Sequence, residues 1–160
     1  MKVEIKAAVF SDTHGTVSPM LDAVRRYRPD VVIHLGDFER DADRLKTEFP
    51  EIPVYNVCGN CDMYPLAPNG QIVQLGPVKA YICHGHMYNV DWGDTTSLVY
   101  AAMEQNAKIA MYGHTHRADY EEVSGVTVIN PGTAGKGSTL TWAAVEIYEN
   151  GGIAVDIRNL

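Results

Sequence analysis

The chain is short of three things, and each shortage closes off a class of protein. Long apolar runs are missing: no stretch of its 160 residues approaches the roughly 20 consecutive apolar residues that a membrane-spanning helix requires. Basic side chains are outnumbered, with Lys+Arg at 13 against Asp+Glu at 20 and a net charge of −7. That balance argues against an extended nucleic-acid surface, which needs clustered lysines and arginines. Cysteine is scarce and odd in number, at Cys58, Cys61 and Cys83, which argues against a disulfide framework. Cys58 and Cys61 form a C-x-x-C. A thioredoxin-like pair should open a helix, however, and a thiolate zinc site needs a second pair that the chain lacks. Cys58 is therefore expected inside a strand and Cys61 beyond its end.

The start, MKVEIKAAVFSD, has early lysines and a short apolar stretch. Glu4 and Lys6 interrupt it, and Asp12 and His14 follow without a cleavage site. It reads as a first strand rather than a leader, with a cytoplasmic location as the corresponding expectation. Hydrophobic residues at 46% suffice for one sizeable core, so residues 1–160 are expected to form a single domain.

Strands and helices alternate at first. VEIKAAVF reads as a strand, and SPMLDAVRRY as a helix with Ser18 as N-cap and Pro19 in the first turn. DVVIHL is a continuous β-branched run and reads as a buried strand; ERDADRLKTEF is an amphipathic helix showing Leu45 and Phe49; IPVYNVC is a third strand. This βαβαβ order implies parallel strands. Later the chain turns to hairpins: QIVQL with VKAYICH, DYEEV with VTVIN, and LTWAAVEIYE with IAVDIRN across Asn150-Gly151-Gly152. One further helix, DTTSLVYAAMEQN with Asp94 as candidate cap, and one strand, KIAMYG, stand between them. Two packed sheets covered by helices are the expected architecture.

Five of these apolar runs end in residues that bind metals: AAVFSDTH, VVIHLGD, VYNVCGN, KAYICHGH and KIAMYGHTH. They carry Asp12, His14, Asp37, Asn60, His84, His86, His114 and His116, which include five of the six histidines. Open α/β sheets bind ligands beyond the carboxyl ends of their strands, so these positions form a list of what lines one site. Two carboxylates, one amide and five imidazoles suit manganese, iron, zinc or nickel better than the oxygen-loving calcium and magnesium. They are too many for one tetrahedral ion and fit two ions sharing a carboxylate, roughly 3.5–4 Å apart. Taken singly, Asp12 can instead cap a turn and Asn60 occupy a left-handed one. His34 lies inside its run and reads as a sheet residue without a role in the site. The loops Met63 to Gly70 and Met87 to Asp94 are rich in Tyr, Trp and Pro, which can stack on a base or pack on each other.

The ordered blocks D-x-H (Asp12, His14), G-D (Gly36, Asp37), G-N (Gly59, Asn60), H-G-H (His84 to His86) and G-H-T-H (Gly113 to His116) resemble the calcineurin-like metallophosphoesterases. The short length and the N-P-G-T at Asn130 to Thr133 are similar to the family's small single-domain phosphodiesterase branch, which also holds the retromer scaffold subunit. The resemblance implies an α/β fold, a four-layer α/β/β/α sandwich of two mixed β-sheets flanked by helices. It implies two divalent transition-metal ions, manganese first, with nickel, iron or zinc as alternatives. One ion would be held by Asp12, His14, Asp37 and His116, the other by Asp37, Asn60, His84 and His114, with Asp37 bridging. The implied activity is phosphoester hydrolysis, most readily of a diester, by in-line attack of an activated hydroxide. Many members carry a histidine after the G-N that protonates the leaving group. Here that position is Cys61, and His86 is the candidate to replace it or to orient another ligand. Asn60, Arg117 and Arg40 are candidate phosphate contacts. The implied partners are a small phosphoester and, for the oligomer, a second copy in a homodimer; no membrane is called for. A catalytically weak scaffold is the main alternative. A nuclease ranks lower, because Tyr64, Tyr88 and Trp92 are available for stacking but no basic groove accompanies them.

Overall fold

The computed structural model describes residues 1–160. The first half runs β1 (Val3–Phe10), α1 (Ser18–Tyr27), β2 (Val31–His34), α2 (Glu39–Glu48) and β3 (Val54–Asn56). The second runs β4 (Gly70–Leu75), β5 (Val78–Cys83), a 3-10 turn (Val90–Trp92), α3 (Thr96–Glu104), β6 (Ile109–Met111), β7 (Asp119–Val123), β8 (Val126–Asn130), β9 (Thr141–Tyr148) and β10 (Ile153–Asn159). Two five-stranded sheets result, in the orders β10-β9-β1-β2-β3 and β4-β5-β6-β8-β7. Both are mixed. β1, β2 and β3 are parallel, with β9 antiparallel to β1. β5, β6 and β8 are likewise parallel, with β4 and β7 antiparallel at the edges.

The alternation of side chains along each strand sorts the core into layers. In β1, Ala7 and Val9 join the layer between the sheets, while Ala8 and Phe10 face the helices. The inter-sheet layer is the largest, with 17 buried residues including Ile33, Leu75, Ile82, Ile109 and Ile147. α1 and α2 cover the first sheet through Met20, Leu21, Val24 and Leu45. α3 covers the second through Leu98, Val99 and Ala102. The architecture is the α/β/β/α sandwich expected from the sequence. No helix is long and apolar enough to cross a membrane.

Some local expectations need correction. Ser18 is the first helical residue rather than the N-cap; Val17 holds that place without a side-chain cap bond. Asp94 serves α3 from one residue outside its N-cap Thr95, accepting from the Thr96 N–H at 3.0 Å. β3 is shorter than IPVYNVC, because the Cys58 N–H leaves the β2 ladder for the Pro68 carbonyl at 2.9 Å. Cys58 is buried and Cys61 exposed, and all three cysteines are free.

Parallel strands from both sheets end at one shared edge. Three bonds stitch that edge together: Asp12 N–H to Gly36 O (3.0 Å), Gly113 N–H to His84 O (2.8 Å), and His84 Nδ1–H to Leu35 O (2.7 Å). Ile33 is fully buried between the sheets that meet there. Ile33→Ala is expected to lower the unfolding free energy by about 2–5 kcal/mol, read as a reduced urea midpoint. A loss near zero would contradict the inter-sheet packing.

Candidate metal centre

The residues at this edge share an uncommon backbone conformation. Asp12, His14, Asp37, His114 and His116 all have positive φ, between 46° and 69°. Each such position is strained for an L-residue by about 1–2 kcal/mol, and Asp and His tolerate it better than most. Strain of this kind persists where the surroundings enforce it, and it clusters at functional sites. Glycines make room between the segments. A Cβ on Gly59 would fall 2.0 Å from Asp37 Oδ1, and one on Gly113 2.0 Å from Ser11 Oγ.

Each buried aspartate divides its oxygens. Asp12 Oδ2 accepts from Ser11 Oγ–H (2.7 Å) and the His114 N–H (3.0 Å). Asp12 Oδ1 lies 3.2 Å from His116 Nε2, 3.7 Å from His14 Nε2 and 3.8 Å from His84 Nε2. Asp37 Oδ1 accepts from the Cys61 N–H at 3.0 Å, while Oδ2 stands 3.5 Å from His14 Nε2 and 3.4 Å from His84 Nε2. Asp12 Oδ1, His14 Nε2 and His84 Nε2 are buried and lack hydrogen-bond partners. His84 gives its Nδ1 proton to the Leu35 carbonyl, so in its neutral form the ring would turn a lone pair inward from Nε2.

Three unpartnered donor atoms facing one space fit a cation, since ligands about 2.1 Å from a shared ion are separated by roughly 3–3.5 Å. The ligand atoms of Asp12, His14 and His116 all lie within 4.8 Å of one another, as do those of Asp12, Asp37 and His84, and of His14, Asp37 and Cys61. Burial raises the Asp12 carboxyl, but His116, His84 and Ser11 outweigh it and hold it below its ordinary value. Asp37 behaves alike: burial raises it, while His84 and the Cys61 N–H hold it well below the usual carboxylate range. Burial disfavours charge on His84, yet the Asp37 and Asp12 carboxylates raise it above its ordinary value.

Asn60 and His114 meet at the rim, with Asn60 Oδ1 3.1 Å from His114 Nδ1. His114 Nε2 is 2.7 Å from Asp91 Oδ1, a residue the sequence reading did not single out. With the ring proton on Nε2 for Asp91, Nδ1 and Asn60 Oδ1 face each other as two acceptors. His86 lies against the cluster, its ring 5.4 Å from His84 and 6.2 Å from His114, with Nδ1 buried and unpartnered. Arg40 and Arg117 are exposed. The Arg40 guanidinium rests 5.0 Å from the Phe38 ring, and Arg117 lines a small cleft with Trp92.

His34 is the sheet residue expected, but it stands at the strand's end rather than well before it. It is the last residue of β2 and fully buried. Its Nδ1 accepts from the Gly36 N–H at 3.2 Å, so the neutral ring donates from Nε2 to Thr13 Oγ at 2.9 Å. It therefore ties the D-x-H loop to the G-D loop. Asp62, three residues past Gly59, adds a second clamp by accepting from the N–H groups of Phe38 (2.9 Å), Glu39 (2.8 Å) and Gly59 (2.7 Å).

Comparison with known proteins bears on this arrangement. A family model described as the calcineurin-like phosphoesterase superfamily domain matches residues 5–150. A probable metallophosphoesterase, YsnB of Bacillus subtilis (strain 168), is 30% identical over 128 residues, covering 78% of this chain and 72% of the relative. A probable metallophosphoesterase of Mycoplasma pneumoniae is 31% identical over 132 residues, covering 80% and 78%. Among solved structures, a predicted phosphoesterase from Streptococcus pneumoniae TIGR4 aligns with a TM-score of 0.76 at 23% identity over 100% of both chains. Zinc-complexed Vps29 from Entamoeba histolytica aligns at 0.76 and 22%, covering 97% and 99%. A protein described as a novel archaeal phosphodiesterase aligns at 0.74 and 22%, covering 96% and 100%. At these identities the structural likenesses speak for the fold.

Burial lowers the His34 imidazole from 6.5 to about 4. The unfolded chain therefore binds a proton that the folded protein refuses between those values. His34 contributes its full stability above pH 6.5 and loses it as pH falls towards 4, by about 3 kcal/mol in all. In chelator, the stability gap between wild type and His34→Gln is expected to narrow by that amount from pH 7 to pH 4 in urea titrations. A constant gap would refute the buried neutral imidazole.

Proposed function

This chain belongs to the calcineurin-like phosphoesterase superfamily, and on that premise we propose that it is a metal-dependent phosphodiesterase working with two divalent transition-metal ions, manganese first. The observation that carries the reading is the convergence of Asp12 Oδ1, His14 Nε2 and His84 Nε2, buried and without partners. Asp12, His14, His116 and Asp37 would hold one ion. Asp37, Asn60, His84 and His114 would hold the other. Support for this division comes from the short separations around Asp12 and Asp37 and from the facing acceptors of Asn60 and His114. When bound there, two such cations would supply an activated water near neutral pH and offset charge on the phosphoryl oxygens.

The chain's own groups do the rest. Asn60, exposed and with its Oδ1 turned to His114, gives one amide N–H to the Cys61 sulfur at 3.8 Å and keeps the other for a phosphoryl oxygen. Arg117 and Arg40 are exposed, make no ion pair and carry guanidiniums whose geometry matches phosphate, with Arg40 resting on the Phe38 ring. Burial, with His84 and His114 beside it, pushes the His86 imidazole down, so it sits neutral and offers one N–H. Burial and the Asp37 carboxylate push the Cys61 thiol up, which makes it a weak acid. Neither protonates a poor leaving group strongly. The reading therefore favours esters whose leaving group is already stabilised, and diesters over alkyl monoesters. The scaffold alternative draws on the fold likeness to Vps29; metal-dependent turnover by the purified protein separates the two.

Asp37→Asn is expected to reduce bound manganese below two per chain and to cut hydrolysis of bis(p-nitrophenyl) phosphate by at least about 100-fold. Wild-type values for both would overturn the bridging role. Asp91→Ala frees the His114 ring and is expected to weaken manganese binding about 10- to 100-fold by titration calorimetry. Unchanged binding would show that Asp91 does not orient this ligand.

A further inference from the structure

A cleft of about 480 Å³ opens against the metal centre. Cys61 lines it and joins it to the centre, with its thiol within 4.8 Å of the ligand atoms of His14 and Asp37. Phe38 forms one wall, its ring 5.1 Å from the His14 imidazole and beneath the Arg40 guanidinium at 5.0 Å. Tyr64 and Leu66 also line the cleft. These two side chains are 92% and 96% exposed, so they do not pack on their neighbours. Their loop is nonetheless fixed. Glu39 accepts from the N–H groups of Leu66 (3.0 Å) and Ala67 (2.7 Å), and Asp62 holds the other end through its three backbone bonds. Apolar side chains held out in water by a bolted loop mark a binding surface rather than a packing accident.

The free chemistry of the lining decides what fits. Three acids line the cleft: the Glu39 and Asp62 carboxylates already serve backbone N–H groups, and the exposed Asp43 carboxylate lies 3.9 Å from the Lys46 ammonium. Sugar hydroxyls would find few partners there, whereas Phe38, Tyr64 and the planar Arg40 offer flat faces. We propose that this cleft receives the organic ester group of the substrate's phosphate, and that this group is a planar aromatic ring such as a nucleobase or an aryl group. The inference rests on the phosphoesterase reading: phosphate at the ions places its ester substituent at Cys61, where the cleft begins. Stacking on Phe38 and Tyr64, with the guanidinium beside them, gives affinity that depends on flatness as well as on apolar area.

The test uses non-hydrolysable probes and titration calorimetry on the manganese-loaded protein. Phenylphosphonate is expected to bind at least about fivefold tighter than cyclohexylphosphonate, which is as large but not flat. Tyr64→Ala and Phe38→Ala are each expected to shrink that ratio to within about twofold, while inorganic phosphate, too small to reach the walls, binds as it does to wild type. Equal affinity for the two phosphonates, or a ratio that survives both substitutions, would overturn the aromatic cleft. Hydrolysis of bis(p-nitrophenyl) phosphate is measured in parallel. Turnover without ring preference sinks this inference alone, and absence of turnover under any divalent metal sinks the function beneath it.

Discussion

Two buried carboxylates, Asp12 and Asp37, set the terms for the rest of the molecule. An unpaired buried charge is expensive, and here each aspartate neutralises only part of the demand through the protein. One oxygen is given to neighbouring N–H and O–H groups, and the other is left facing imidazoles at 3.2 to 3.8 Å. Those imidazoles come from both sheets, so the sheets must meet at the angle that brings their strand ends to one edge. The left-handed backbone at Asp12, His14, Asp37, His114 and His116 is the local cost of that arrangement. The inter-sheet core, with Ile33 and Ile82 fully buried behind the site, sustains it.

Around this pair the fold builds support in rings. His84 is aimed by the Leu35 carbonyl, His114 by Asp91, and the two loops of the first sheet by His34 and Asp62. Supporting bonds of this kind fix ring orientation and tautomer in metal centres. The same clamps continue outwards. Asp62 and Glu39 hold the loop that carries Tyr64 and Leu66, so the centre and the cleft beside it share one frame.

Much of this was legible in the sequence for a local reason: a candidate ligand that follows a strand within a few residues announces itself by that adjacency. Asp12, Asp37, His84 and His114 all obey this, and two packed sheets covered by helices followed from the order of strand, helix and hairpin patterns, with the four-layer α/β/β/α form implied by the family resemblance. What stayed hidden depends on partners far apart in the chain. Asp62 reads as a loop acid until its carboxylate is seen holding Phe38 and Glu39 from 24 and 23 residues away. His34 looks like a sheet residue because nothing nearby reveals that Thr13, 21 residues earlier, awaits its N–H. Asp91 carries no local signal, since its value comes from where a loop folds back onto His114. Ser18 misled because a good capping residue is not used when the helix begins one residue sooner.

The bond from the His114 amide to Asp12 spans 102 residues, and the Thr133 hydroxyl reaches back 121 residues to the Asp12 carbonyl. Closing such distant loops comes late relative to local pairing. A chain emerging from the ribosome can therefore lay down only β1, β2 and β3 of the first sheet, with half of the polar pocket open to water, since β9 and β10 complete that sheet last. Only when the later strands dock do the two halves lock, so this corner is among the last parts of the protein to mature.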